Sequence, residues 1–195
     1  TDTLDTLPDR EYRSGLAEVI KYGVIQDAEF FGYLENNVSG LNQRDPAVLR
    51  HVVARCCELK AVVVKEDEYE TTGVRAILNC GHTYAHAFEA LSGYGALLHG
   101  EAVSIGMVCG SRLARALGRI GDGEIHRQVA LLTAVQLPVT VPEKLQSRPD
   151  DILNCMLLDK KTVSGDLKFV LPDRIGHVET LGGIDAQTVV DCLAG

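Results

Sequence analysis

Residues 79–107 read NCGHTYAHAFEALSGYGALLHGEAVSIGM, and this stretch decides how the rest of the chain is understood. His82 and His86 stand four apart, which puts both imidazoles on one face of a helix, as in two-histidine zinc helices. Glu89 follows at the next three-residue step on that side. Thr83 occupies the place a general-base glutamate takes in an HExxH helix, so the site is of another kind. After the turn, His99-Gly100-Glu101 leads into a run from Ala102 to Gly110 that is nearly all apolar or small. Such a run is a buried helix, with His99 near its N-terminus. Asn79, His82, His86, Glu89, His99 and Glu101 thus fall close together in a chain with only six histidines.

Working outward, helical periodicity dominates. Asp45-Pro46 supplies an N-cap and a proline at the first helical position, opening a helix to about residue 66. Its expected buried stripe is Leu49, Val52, Val53, Cys56, Cys57, Val63 and Val64. Further helices are expected at about 14–25, 27–36, 82–92, 100–117, 123–135, 150–158 and 185–193. Residues 138–149 hold three prolines (Pro138, Pro142, Pro149) and read as a connector. The segments 167–171 and 177–181 alternate, with Pro172 and Gly176 between them, and predict one small β-hairpin at about 167–181. The expected fold is therefore mainly α, a single multi-helix domain over residues 1–195. No GxGxxG, P-loop or strand–helix alternation occurs, so a nucleotide cradle belongs elsewhere.

Several charges break the apolar pattern. In GLAEVIKYGVI (15–25) only Glu18 and Lys21 are charged, and a spacing of three puts them on one face. They form either a buried ion pair or part of a site, because a buried charge is costly unless paired or bound to metal. Lys60 lies three helical turns beyond Leu49 and reads either as a snorkelling lysine or as an inward ammonium awaiting an anion. Asp159-Lys160-Lys161 closes a helix. Pattern alone leaves Glu18, Glu89, Glu101, His82, His86 and His99 open as ligands, a mixed histidine and carboxylate set suited to zinc or a similar divalent ion. Lys21, Lys60, Arg75, Lys160 and Lys161 are candidates for phosphate and carboxylate contacts.

Composition narrows the class. Apolar residues make up 46%, and 27 acidic against 19 basic residues leave a net charge of -8. That balance argues against a broad nucleic-acid surface. No apolar run reaches membrane-span length, and residues 1–25 carry no signal-peptide pattern. Six cysteines without a CxxC pair read as small buried hydrophobes in a reducing compartment, with cytoplasm the expected location. The opening at Thr1, without a methionine, suggests a piece of a longer protein.

The segments SGLAEVIKYG, CCELKA, GVRAILNCGHTYAHAFE, LHGEAV, LDKK and FVLP occur in the order and spacing of one family. From about Thr6 onward the chain resembles the C-terminal domain of the 3-dehydroquinate synthases, within the sugar phosphate cyclases. The resemblance implies a helical metal- and substrate-binding lobe that normally follows a Rossmann-like NAD-binding domain absent from this chain. It implies Glu18, His82 and His99 as ligands of zinc, or of cobalt in its place. His86 would handle a proton near a substrate hydroxyl, with Lys21 also in the catalytic group. Lys60, Arg75, Asn79 and one or both of Lys160 and Lys161 would contact substrate. The family's site glutamate lies four residues before the arginine matching Arg75. Here that position is Thr71, and Glu70 takes the role only with a one-residue insertion. The implied substrate is the seven-carbon sugar acid phosphate DAHP (3-deoxy-D-arabino-heptulosonate 7-phosphate), the product 3-dehydroquinate, the cofactor NAD and the assembly a homodimer. The 2-deoxy-scyllo-inosose and valiolone synthases share much of the pattern, but Arg75 with Leu78-Asn79 and His86 matches the carboxylate-recognising set.

Overall fold

The computed structural model describes residues 1–69, 71–93, 95–160 and 167–194. Glu70 and Lys161 lie outside the described residues, as does the side chain of Lys160. The described chain is mainly helical: α1 (Asp9–Ile25), α2 (Ala28–Asn36), α3 (Val38–Asn42), α4 (Pro46–Glu66), α5 (His82–Ser92), α6 (His99–Ala116), α7 (Asp122–Ala134), α8 (Glu143–Gln146), α9 (Pro149–Lys160) and α10 (Ala186–Asp191). Strands β1 (Phe169–Arg174) and β2 (His177–Leu181) form an antiparallel hairpin, the expected one.

Caps account for several starts. The Asp45 carboxylate accepts from the N–H groups of Ala47 and Val48, and Pro46 occupies the first turn of α4. Asp27 caps α2 through Phe30, and Asp185 caps α10 through Thr188. Helix α1 begins at Asp9, five residues before the expected start. Its first turn is polar and lacks an apolar period, but Asp9 and Glu11 suit the positive end of the helix dipole. Three short elements escaped sequence reading: α3, and 3-10 turns over Asp2–Leu4 and Val74–Asn79. The proline-bearing connector also contains α8.

Helix α6 is the axis of the molecule, buried from Ala102 through Ser111. Helix α5 packs on it most extensively, with α1 and the hairpin against its other faces. These approaches are closer than side chains permit. A Cβ on Gly106 would lie 2.2 Å from the Gly81 carbonyl oxygen, and one on Gly100 would lie 1.9 Å from that of Ser14. Polar anchors reinforce the packing: Thr83 donates to the Lys168 carbonyl, Tyr84 to that of Val189, and Ser104 to that of Pro138. Thr83 is thus a buried structural hydroxyl.

The long helix α4 corrects the expected stripe. Leu49, Val52, Leu59 and Val63 are buried, whereas Val53, Cys57 and Lys60 are exposed on the neighbouring strip. The counted stripe was centred too far round the helix because valines and cysteines populate both strips, and hydrophobicity does not say which one meets the core. Lys60 is therefore no inward ammonium within this chain. Pro172 lies inside β1 rather than between strands. A two-stranded sheet leaves room for a missing donor, and the register slips between Pro172 and Arg174. Gly176, at φ 89°, turns the hairpin and donates its N–H to Val24 at the end of α1.

Candidate metal and substrate site

Three helices deliver one side chain each to a common point. Glu18 comes from mid-α1, His82 opens α5 and His99 opens α6. Each offers one ligand atom, and all three atoms lie within 4.8 Å of one another. Glu18 Oε1 is 3.9 Å from His82 Nε2 and 3.7 Å from His99 Nε2.

Glu18 divides its two oxygens. Oε2 accepts from Lys21 Nζ at 2.6 Å, and Lys21 is only 3% exposed. Oε1 is buried and accepts no hydrogen bond. The ion pair expected from the spacing and the ligand expected from the resemblance are therefore one carboxylate, bonded on one side and open on the other. An unsatisfied buried acceptor costs about 1–3 kcal/mol, and a cation between Glu18, His82 and His99 would remove that cost.

The histidine rings are set for the same task. His82 Nδ1 lies 3.2 Å from the Cys80 carbonyl oxygen, which only accepts, so Nδ1 carries the proton and Nε2 presents its lone pair to Glu18 Oε1. Gly81, at φ 81°, makes the turn that brings this carbonyl under the ring. Burial, and then the charge of Lys21, holds His82 below the ordinary imidazole range and keeps it neutral. His99 Nδ1 lies 3.2 and 3.3 Å from the two carboxylate oxygens of Glu89. Burial pushes the Cys80 thiol up to about 12, so it is no thiolate ligand.

The other candidates are placed apart. Glu89 stands behind His99, on the ring nitrogen facing away from Glu18. Glu101 accepts from Arg10 and from the Leu98 N–H, which closes the first turn of α6 and turns the carboxylate off the metal point. His86 is exposed, its ring 5.5 Å from that of His82, and lines a cleft of about 470 Å³ with Glu89, Ala90 and Leu97. Arg75 and Asn79 share a second cleft of about 280 Å³ with Asp67 and Gly73. Lys60 follows Cys57 on the exposed strip of α4.

Asp67 was missed by sequence reading. Its carboxylate is 2% exposed and accepts from the N–H groups of Thr71, Thr72 and Arg75, folding the loop that carries Arg75. An aspartate ahead of a Thr- and Gly-bearing turn was the available signal. The donor set of two imidazoles and one carboxylate suits zinc or cobalt, with room for further oxygen ligands.

Comparison with known proteins finds similar folds among sugar cyclases. A 2-epi-5-epi-valiolone synthase from Streptomyces hygroscopicus subsp. jinggangensis 5008, solved with NAD+ and Zn2+ bound, superposes with a TM-score of 0.87 at 29% identity, covering 97% of this chain and 52% of that one. A 2-deoxy-scyllo-inosose synthase complexed with carbaglucose-6-phosphate, NAD+ and Co2+ shares the fold, with a TM-score of 0.78 at 23% identity, covering 96% and 52%.

The description "3-dehydroquinate synthase C-terminal" matches residues 15–162, and the chain belongs to that family. A 3-dehydroquinate synthase of Rhodopirellula baltica is 50% identical over 190 residues, covering 97% of this chain and 50% of the relative. That of Methylococcus capsulatus is 53% identical over 186 residues, covering 95% and 51%. The chain thus spans about half the length of the curated relatives it matches.

Proposed function

We propose that this chain is the metal- and substrate-binding half of a 3-dehydroquinate synthase. This carbon–oxygen lyase of the shikimate pathway converts DAHP to 3-dehydroquinate with loss of phosphate, on the way to aromatic amino acids. The observation that carries the reading is the convergence of Glu18, His82 and His99 within 4.8 Å, with Glu18 Oε1 buried and unsatisfied.

Glu18, His82 and His99 would hold zinc or cobalt, which when bound acts as a Lewis acid toward substrate hydroxyls. NAD would supply hydride chemistry from the other half, since no glycine-rich cradle occurs in this sequence. The residues of this chain bind, orient and move protons. Lys21 compensates Glu18 and adds positive charge beside the reacting hydroxyls. His86, exposed one helical turn from His82, is placed to exchange a proton with a substrate hydroxyl. Arg75 and Asn79, which line one cleft, suit the substrate carboxylate, where a guanidinium offers a two-pronged contact. Lys60, with Lys160 and Lys161, would supply cations for phosphate, and Glu70 would complete the set implied by the family pattern. A sugar acid phosphate is thus accommodated by local positive charge on an acidic chain. A homodimer in the cytoplasm is the setting the family suggests, and no described helix is long and apolar enough to cross a membrane.

The test joins this chain to an NAD-binding half and measures metal content and phosphate release. About one zinc or cobalt per chain is expected, lost in His82→Ala and His99→Ala, with NAD-dependent phosphate release from DAHP. This chain alone should show no turnover. No metal stoichiometry would overturn the site, and turnover of a sugar phosphate lacking the carboxylate instead of DAHP would assign a related cyclase.

A further inference from the structure

The contact between Glu89 and His99 has a role that the ligand set alone does not express. Glu89 lies on α5 two turns beyond His82, and its oxygens sit 3.2 and 3.3 Å from His99 Nδ1. On the opposite side of the same ring, Nε2 faces Glu18 Oε1 at 3.7 Å. The two nitrogens of one imidazole point apart, so Glu89 cannot reach the point where Glu18, His82 and His99 converge.

We infer that Glu89 is a positioning residue: it accepts the Nδ1 proton of His99, fixes the tautomer with a bare Nε2, and holds that nitrogen toward a divalent cation. His99 needs such a support more than His82 does. Its side chain is 49% exposed against 13% for His82, and it stands on the first turn of α6, where packing restrains it on few sides. His82 is oriented by a main-chain carbonyl that no side-chain substitution removes, whereas His99 depends on a side chain that can be replaced. A carboxylate behind a ligand histidine also raises the basicity of the ligating nitrogen. Glu89 additionally lines the cleft shared with His86, so its restraint ties the metal end of that cleft to α5.

This inference rests on the metal reading proposed above, and its test separates the two. Glu89→Ala and Glu89→Gln are compared with the unaltered protein by zinc affinity in competition with a chelating indicator, by the visible absorption of bound cobalt, and by thermal melting without metal. Glu89→Ala should weaken zinc binding about 10- to 100-fold and alter the cobalt spectrum. Glu89→Gln should lose less, because its amide oxygen still accepts from Nδ1. The metal-free melting midpoints should be unchanged, and if the alanine variant does not fold, the glutamine variant carries the comparison. In metal-free protein, nitrogen-correlated NMR should show His99 with its proton on Nδ1, a preference lost in the alanine variant. Unaltered zinc affinity in Glu89→Ala, or a His99 proton resident on Nε2 in the unaltered protein, overturns the role of Glu89 and leaves the metal site standing. Failure of the unaltered protein to bind zinc overturns both.

Discussion

Arg10 grips Glu101 with two 2.7 Å hydrogen bonds, from Nε and Nη2, across a sequence separation of 91 residues. The same Nη2 reaches the Ala96 carbonyl at 2.9 Å, and Glu101 in turn accepts from the Leu98 N–H. One guanidinium thus fastens the start of α1 to the turn that presents His99. Glu101, read from sequence as a possible ligand, instead ties down the backbone of the turn before His99.

Replacing Arg10 with alanine should therefore act on the metal site without touching it. Zinc affinity should fall several-fold while far-ultraviolet circular dichroism stays unchanged. Equal affinity in a competition titration would show that the α6 turn holds itself.

Helix approach sets a second expectation. Alanine at Gly106 would bring Cβ to 2.2 Å from the Gly81 carbonyl oxygen, a backbone atom that cannot swing away. Overpacking of this kind costs about 1–3 kcal/mol, and here it pushes directly on the turn before His82. Urea denaturation should show a loss of that size, together with weaker zinc binding. At Gly110 the nearest atom to an added Cβ is 3.7 Å away, so Gly110→Ala serves as the mild control.

Glu18 carries a third. Alanine there removes a proposed ligand and also strips the counter-charge from Lys21, which is nearly fully buried. Breaking a buried pair costs about 3–5 kcal/mol, and because Glu18 itself is 37% exposed the loss should be about 2 kcal/mol. Adding Lys21→Met to Glu18→Ala should recover stability in a denaturant melt but not metal binding. Full recovery of both would remove Glu18 from the ligand set.

The fourth concerns acid. The N–H of Thr72 above all, then those of Arg75 and Thr71, hold the Asp67 carboxyl down to about 2 against the upward push of burial. Arg10 chiefly holds Glu101 below its usual range as well. A depressed folded value means the stabilisation is fully present above the unfolded value, near 4, and is lost as pH falls through the folded one. The Arg75 loop should therefore keep its amide protection from pH 7 down to about 4 and lose it between about 4 and 2. In Asp67→Asn, hydrogen exchange of Thr71 and Thr72 should be fast already at pH 7.

Much of this was readable in the chain itself. Long helices with strong caps, such as α4 after Asp45-Pro46, were legible because cap and period agree. The candidate ligand trio needed more than spacing, since six residues were equally eligible on pattern, whereas in the fold Glu89 meets the far nitrogen of His99, Glu101 pairs with Arg10, and His86 faces a separate cleft. The stripe of α4 was misjudged because a helix with two apolar strips does not announce which one is covered, and the two readings of Lys60 could not be separated for the same reason. Asp67 and Arg10 act through backbone groups and distant partners, and no local pattern marks such contacts.

The split carboxylate of Glu18 bears on the life history of the centre. Because an internal ammonium already balances that acid, its charge is offset without an ion, and only the second oxygen is left unsatisfied. The chain is thus equipped to mature first and to be loaded afterwards, and stripping its ion with a chelator should leave a vessel that can be refilled rather than an unravelled polypeptide.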